Sequence, residues 1–129
     1  MKPEKLLLVD DDSAFNFLNR IILRSSGVNC EIDECLDGQA ALKYVTGAEK
    51  CPDVILLDIN MPIMDGFEFL EEFERHHKFS IHTKVFVLTS SDQDEDRKGA
   101  LKYACVKGYF DKPLTEQHVM HIISLFEQA

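Results

Sequence analysis

Residues 53–66 read DVILLDINMPIMDG, and the four apolar residues Val54–Leu57 near the start decide the architecture. With no polar residue alternating among them, they suit a strand covered on both faces, as the strands of parallel sheets are. The run stops at a carboxylate, Asp58. Two more stretches share this form: residues 85–88 (VFVL) stop at Thr89, and residues 6–9 (LLLV) stop at Asp10, Asp11 and Asp12. Working outward, apolar runs alternate with segments of helical period: KLLLV then FNFLNRIIL, NCEIDEC then GQAALKYV, DVILLD then GFEFLEEF, KVFVLTS then DRKGALKYA, GYF then EQHVMHIISLF. Five strand and helix pairs in series predict an α/β fold, with a parallel five-stranded sheet between two helix layers.

The second run differs, since Val28, Cys30 and Ile32 alternate with polar neighbours, as suits an edge strand. Among the helices, Phe15, Leu18 and Ile22 are expected to form one buried stripe, and Val119, Ile122, Ile123 and Phe126 another. The fourth helix, expected over residues 94–104, is the weakest, because Gly99 lowers its propensity and its apolar residues are few. Residues 47–52 and 76–83 read as connections.

At 129 residues the chain has the size of one domain, 1–129, and its 45% hydrophobic content suffices for a core. Cys30, Cys35, Cys51 and Cys105 show neither CxxC pairing nor metal-ligand spacing, and no signal peptide precedes them. Reduced thiols in a cytoplasmic chain are expected. Charged residues interrupt every apolar segment well short of the roughly 20 residues that a membrane span needs, so no membrane insertion is expected. A net charge of −9 opposes binding to nucleic acid and favours proteins and hard cations as partners. No GxGxxG follows the first strand and no GxxxxGK motif occurs, which counts against nucleotide binding.

Ligands of open parallel sheets bind beyond the carboxyl ends of the strands. Those ends carry Asp10 and Asp11 after the first run, Asp58 after the third and Thr89 after the fourth, with Lys112 and Pro113 shortly after the fifth. Two carboxylates about 4 Å apart repel by about 4 kcal/mol at an effective dielectric near 20. Three of them need a cation, and Lys112 alone is too little. An all-oxygen site of this kind suits magnesium. Beside such an ion a carboxylate can attack phosphorus and form an acyl phosphate, while metal, lysine and hydroxyl share the charge of the phosphoryl oxygens. Asp58, at the end of the most apolar strand, is the best nucleophile, and Asp10 and Asp11 would hold the metal. Asp12 suits a helix N-cap, as Asp65 and Gly66 suit the cap and turn of the third helix. His118 and His121 share a helix face; with no carboxylates converging on them, solvated side chains are expected rather than a metal site.

VDDD at the first strand end, DVILLDINMPIMDG at the third, VLTS at the fourth and GYFDKP at the fifth resemble the receiver domain of two-component response regulators, the CheY-like domains, over essentially the whole chain. The resemblance implies a doubly wound, flavodoxin-like (βα)5 fold with strand order 2-1-3-4-5. It implies phosphorelay signalling, in which Asp58 accepts a phosphoryl group from a sensor histidine kinase or a histidine phosphotransfer protein with Mg2+ as cofactor. By the same likeness Asp11 and Asp58 ligate the ion, Asp10 works mainly through a bound water, and Asn60 ligates through its main-chain carbonyl. Thr89 would donate to the phosphoryl oxygens and Lys112 would pair with them, aimed inward by a cis bond before Pro113. On phosphorylation Thr89 would move toward the phosphate and Tyr109 would rotate into the vacated space, reshaping the surface made by the fourth helix, fifth strand and fifth helix. Ser91 and Asn60 stand where such domains vary the residues that affect how water reaches the acyl phosphate.

The chain stops one helix after GYFDKP, so a stand-alone switch with no output domain is expected. It would bind a downstream protein target or relay phosphate between histidine proteins, its helical surface serving docking or a homodimer. It would be no enzyme beyond catalysing its own phosphorylation and dephosphorylation. Two other readings stand beside this one. A phosphohydrolase of the haloacid dehalogenase type also uses an aspartyl nucleophile and magnesium, but it needs an acid where this chain has Asn60, and a cap insertion. A phosphorylation-independent interaction module would keep the fold only, and such degenerate domains usually lose an acidic residue or the lysine, all of which this chain retains.

Overall fold

Five parallel strands form one sheet in the computed structural model, which describes residues 3–76 and 81–127. They are β1 (Lys5–Val9), β2 (Glu31–Cys35), β3 (Val54–Leu57), β4 (Lys84–Thr89) and β5 (Val106–Asp111), in spatial order β2-β1-β3-β4-β5. The helices are α1 (Ser13–Ser25), α2 (Gly38–Gly47), α3 (Gly66–Arg75), α4 (Asp94–Leu101) and α5 (Glu116–Glu127). This is the doubly wound order expected from the sequence. The connection expected at 76–83 lies partly outside the described residues.

Successive side chains of a strand point to opposite faces, so each inner strand feeds two cores. Leu7, Val9, Ile55, Leu57, Val85 and Val87 meet Ala41 and Val45 of α2, Phe69, Leu70 and Phe73 of α3, and Ala100 of α4. Leu6, Leu8, Val54, Leu56, Phe86 and Leu88 meet Leu23 of α1 and Val119, Ile122 and Phe126 of α5. β3 is buried along its whole length, which is why it tolerates no polar alternation. Edge strand β2 begins only at Glu31, opposite the first residue of β1, so Val28 and Cys30 lie ahead of the strand while Ile32 and Cys35 face inward from it.

α1 departs from the stripe expected of Phe15, Leu18 and Ile22. Leu18 is 55% exposed, in company with Phe17 and Ile21, while Asn16, Asn19 and Leu23 are buried and Phe15 and Ile22 half-buried. The inner face is turned by about one residue because Asn16 Nδ2 donates to the Asp10 main-chain carbonyl at 3.1 Å, a buried hydrogen bond that no apolar side chain could make. The α5 stripe is as expected, with Val119, Ile122 and Phe126 buried and Ile123 half-buried. α4 stops at Leu101 instead of running to 104, because the chain must turn back to β5: Tyr103 N–H donates to the Ala100 carbonyl, and the Cys105 carbonyl already accepts from Val85 N–H of β4.

The caps act where the sequence put them. Asp12 Oδ1 accepts from the N–H groups of Ala14 and Phe15, and Asp65 and Glu68 close a reciprocal box at the start of α3. Gly66 lets α3 begin against the residue after Asp58, since a Cβ there would fall 2.6 Å from Ile59 Cα. The four cysteines are free thiols, buried or half-buried, and burial pushes Cys35 up to about 11. Among the described residues no helix is long and apolar enough to cross a membrane.

Candidate functional site

Main-chain hydrogen bonds run one step past the strand ends and build a rim. Asp10 N–H donates to the Cys35 carbonyl, Asp58 N–H to the Val9 carbonyl at 2.9 Å, and Lys112 N–H to the Thr89 carbonyl at 2.9 Å. Residues from β1, β3, β4 and β5 thereby share one edge of the sheet, and the Lys112–Pro113 bond is cis.

Lys112 Nζ lies 2.7 Å from Asp10 Oδ2 and 3.2 Å from Asp58 Oδ2. Both carboxylates are buried, 4% and 6% exposed, and each takes a main-chain donor on its other oxygen: Asp12 N–H on Asp10 Oδ1 at 2.9 Å and Asn60 N–H on Asp58 Oδ1 at 3.2 Å. Asp11 stands exposed at the mouth, and oxygens of Asp10, Asp11 and Asp58 all lie within 4.8 Å of one another. Three carboxylates face one ammonium.

Burial and the neighbouring charges set the titration of the pocket together. Burial pushes the Asp10 carboxyl above its ordinary range, and the hydrogen bond from Lys112 offsets this only in part. Burial works against the Lys112 charge too, but the two carboxylates outweigh it and hold the ammonium above its ordinary value. The raised Lys112 reflects the two carboxylates that face its one ammonium. Hard oxygen donors converging from separate segments fit a magnesium-like divalent ion, which keeps part of its water shell.

Thr89 is fully buried, and its Oγ1 accepts from Ser91 N–H at 3.2 Å. Ser91 in turn donates to Asp96 Oδ2 of α4 at 2.6 Å. Tyr109, opposite Val87 in the ladder, is half-buried, and its hydroxyl is buried with no hydrogen-bond partner. Burial pushes that phenol up, and the nearby Ser91 hydroxyl pulls the other way although it does not meet hydrogen-bond geometry with it.

The sequence that builds this rim matches a family model, the response regulator receiver domain, over residues 6–124. The chain belongs to the receiver-domain family. It is 36% identical to chemotaxis protein CheY of Halobacterium salinarum, over 94% of this chain and 94% of that protein. A crystal structure of a two-component response regulator from Cytophaga hutchinsonii superimposes with a TM-score of 0.90 at 32% identity, covering 100% of both chains. The Mn(2+)-bound form of response regulator Rcp1, a name borne by a Synechocystis protein, superimposes with a TM-score of 0.76 at 27% identity, covering 98% of this chain and 93% of that one. Several histidine kinases match as well, and of their length this receiver chain spans only 4–14%.

Other features of the receiver were not legible in advance. Phe15, expected in a core stripe, sets its ring under Lys112, with Nζ 4.3 Å from the centroid. Asn16 and Asn19 line a small space with Asp10 and Asp58, and Asn16 Oδ1 is buried without a partner. Two asparagines three apart, directly after a run of acids, were the available signal. Ile63, 75% exposed in the loop after β3, holds φ at 69°, a region that a β-branched residue rarely adopts, and nothing in the local sequence announces it. His118 is not solvated as expected: it is half-buried and stacked on Phe110 at 4.5 Å, with His121 edge-on to the same ring. Among the described residues only Asp10, Asp11 and Asp58 form a metal-competent group.

Proposed function

We propose that this receiver is a phosphorylation switch, in which Asp58 takes a phosphoryl group from the phosphohistidine of a sensor histidine kinase or histidine phosphotransfer protein. The observation that carries the reading is Asp58 itself: a buried carboxylate that shares an ammonium with Asp10 and has oxygens of Asp10 and Asp11 within 4.8 Å. In the forward step a carboxylate oxygen of Asp58 attacks phosphorus, the new P–O bond forms as the P–N bond of the donor breaks, and the imidazole leaves. In dephosphorylation water attacks phosphorus, the P–O bond to Asp58 breaks, and phosphate leaves with the carboxylate restored. Mg2+ held by Asp10, Asp11, Asp58 and the Asn60 carbonyl would neutralise charge on the phosphoryl oxygens.

The side chains divide the rest of the work. Lys112 exchanges its contact with Asp58 for a phosphoryl oxygen. The Thr89 hydroxyl, whose oxygen accepts from Ser91, keeps its own proton for another. Ser91 and Asn60, both short and uncharged, leave the approach of water to the acyl phosphate unobstructed by charge. The phosphoryl charge then biases a two-state element, Thr89 with Tyr109. An orphaned Tyr109 hydroxyl, and a neighbouring cavity of about 250 Å³ bordered by Ser91, Gln93, Arg97 and Asp111, support that role. The output is a change in the α4-β5-α5 face that alters binding to a downstream protein or a second copy of the chain. Exposed Phe17, Leu18 and Ile21 on α1 suit an apolar surface of the donor protein. The setting is the cytoplasm, and apart from its own phosphorylation and dephosphorylation the domain turns over no substrate.

Intact mass after incubation with magnesium and a small acyl-phosphate donor tests the reading. Wild type is expected to gain one labile phosphoryl group, while Asp58→Asn, or wild type with excess chelator, gains none. An unchanged mass in wild type would overturn the switch and favour an interaction-only module.

A further inference from the structure

A lysine ammonium carries three N–H groups. In Lys112 they have Asp10 Oδ2 at 2.7 Å and Asp58 Oδ2 at 3.2 Å as oxygen partners, and no third oxygen joins them among the described residues. The face of Phe15 takes that place, its ring centroid 4.3 Å from Nζ. This lies inside the ~6 Å reach of cation–π attraction, which strengthens as water is excluded, and the Lys112 side chain is only 15% exposed.

The ring is held by the same loop that Lys112 serves. Phe15 N–H donates to Asp12 Oδ1 at 3.2 Å, and the next residue, Asn16, donates to the Asp10 carbonyl at 3.1 Å. The first turn of α1 is thus tied at both points to the acidic strand end. Among the described residues, Phe15 is not one of the apolar side chains packed against either core, and Leu18, its expected companion in a stripe, is in solvent. Filling the core does not account for a phenylalanine here.

We propose that Phe15 is a positioning residue whose ring face holds the Lys112 ammonium in the pocket, so that it can exchange the Asp58 oxygen for a phosphoryl oxygen without swinging into solvent. The phosphoryl half of this statement rests on the reading of Asp58 as the phosphoacceptor. The hold on Lys112 does not.

Two variants separate the ring's face from its bulk. Phe15→Leu keeps an apolar side chain and removes the π face, whereas Phe15→Trp retains one. The first readout is the rate at which limiting acetic anhydride labels Lys112, located by peptide mass. The second is the rate of Asp58 phosphorylation by a small acyl-phosphate donor at saturating magnesium. Phe15→Leu is expected to label Lys112 about 3- to 10-fold faster and to phosphorylate more slowly by a similar factor, with magnesium affinity unchanged and Phe15→Trp close to wild type in both readouts. Equal Lys112 labelling in Phe15→Leu and wild type, or a Trp variant no better than Leu, would overturn the proposal. Wild type that takes no phosphoryl group overturns the phosphoacceptor reading and with it the phosphoryl half, while the labelling still decides whether Phe15 holds the lysine. Should Phe15→Leu lose its fold by circular dichroism, Phe15→Met carries the same comparison.

Discussion

α3 turns Phe69, Leu70 and Phe73 into the core and leaves its glutamates outside, whereas α1 buries Asn16 and Asn19 and leaves Phe17, Leu18 and Ile21 in solvent. Both helices follow a strand that ends in a carboxylate, and both begin with an aspartate cap. The difference lies in what their inner faces meet. α3 packs on the middle of the sheet, where burying each large apolar side chain is worth about 1.5–3 kcal/mol. The first turn of α1 packs on the rim, where the Asp10 carbonyl needs a donor and the Lys112 ammonium needs a partner. A helix beside a charged site is thus turned by the site, even where this leaves Phe17, Leu18 and Ile21 in solvent.

Substitutions on the two helices should separate in kind as well as size. Phe73→Ala is expected to lower stability by about 3–5 kcal/mol in denaturant unfolding, with phosphoryl uptake per folded molecule retained. Asn16→Leu restores a conventional apolar position but leaves the Asp10 carbonyl without its donor. It should destabilise by about 1–2 kcal/mol in the same unfolding measurement and slow phosphoryl uptake from a small donor. If instead it stabilises the protein and leaves uptake unchanged, the two helices obey one rule after all.

The contrast extends to caps. The box that opens α3 joins two carboxylates to main-chain N–H groups, while α5 opens with Thr115 Oγ1 accepting from His118 N–H and His118 Nδ1 accepting from Thr115 N–H at 3.1 Å. Burial pulls His118 below its ordinary 6.5, against the opposing pull of Asp111 and with the help of His121. A depressed folded value means that this group's stabilisation is complete above pH 6.5 and is lost as pH falls through the lower folded value. Solvent screening of a half-exposed ring keeps the loss below about 1 kcal/mol. His118→Glu, which keeps an acceptor in the box, should flatten thermal stability between about pH 7 and 5 relative to wild type. The smallest effect on stability belongs to Leu18→Glu, within about 0.5 kcal/mol of wild type. That variant should still slow transfer from a phosphohistidine protein while leaving uptake from a small donor unchanged, which kinetics with both donors would show.

The sheet was legible because burial on both faces leaves a plain mark: Val54–Leu57 and its neighbours carry no polar residue, and the first polar residue after each run must sit at the rim. Asp10, Asp58 and Thr89 could be named on that ground, and Lys112 as the cation that follows the fifth run within two residues. The phase of α1 could not, because apolar residues at 15, 17, 18, 21, 22 and 23 supply two overlapping stripes at helical spacing. Only the need of the Asp10 carbonyl chooses between them, and that need is a fact of three-dimensional neighbours. The partnership of Phe15 with Lys112 was hidden for the same reason, since it joins the first helix to the last loop. The end of α4 and the left-handed Ile63 depend on where the chain must go next, which local propensity does not encode.

On the proposed function, it is Asp58 among the crowded acids that carries phosphorus. Borohydride reduces an acyl phosphate to an alcohol, so treating the phosphorylated protein and mapping its peptides by mass locates the modified carboxylate. Homoserine at position 58, with Asp10 and Asp11 unaltered, is the expected result. A reduced residue at any other position, or a phosphorylated protein in which Asp58 survives reduction unchanged, would contradict it.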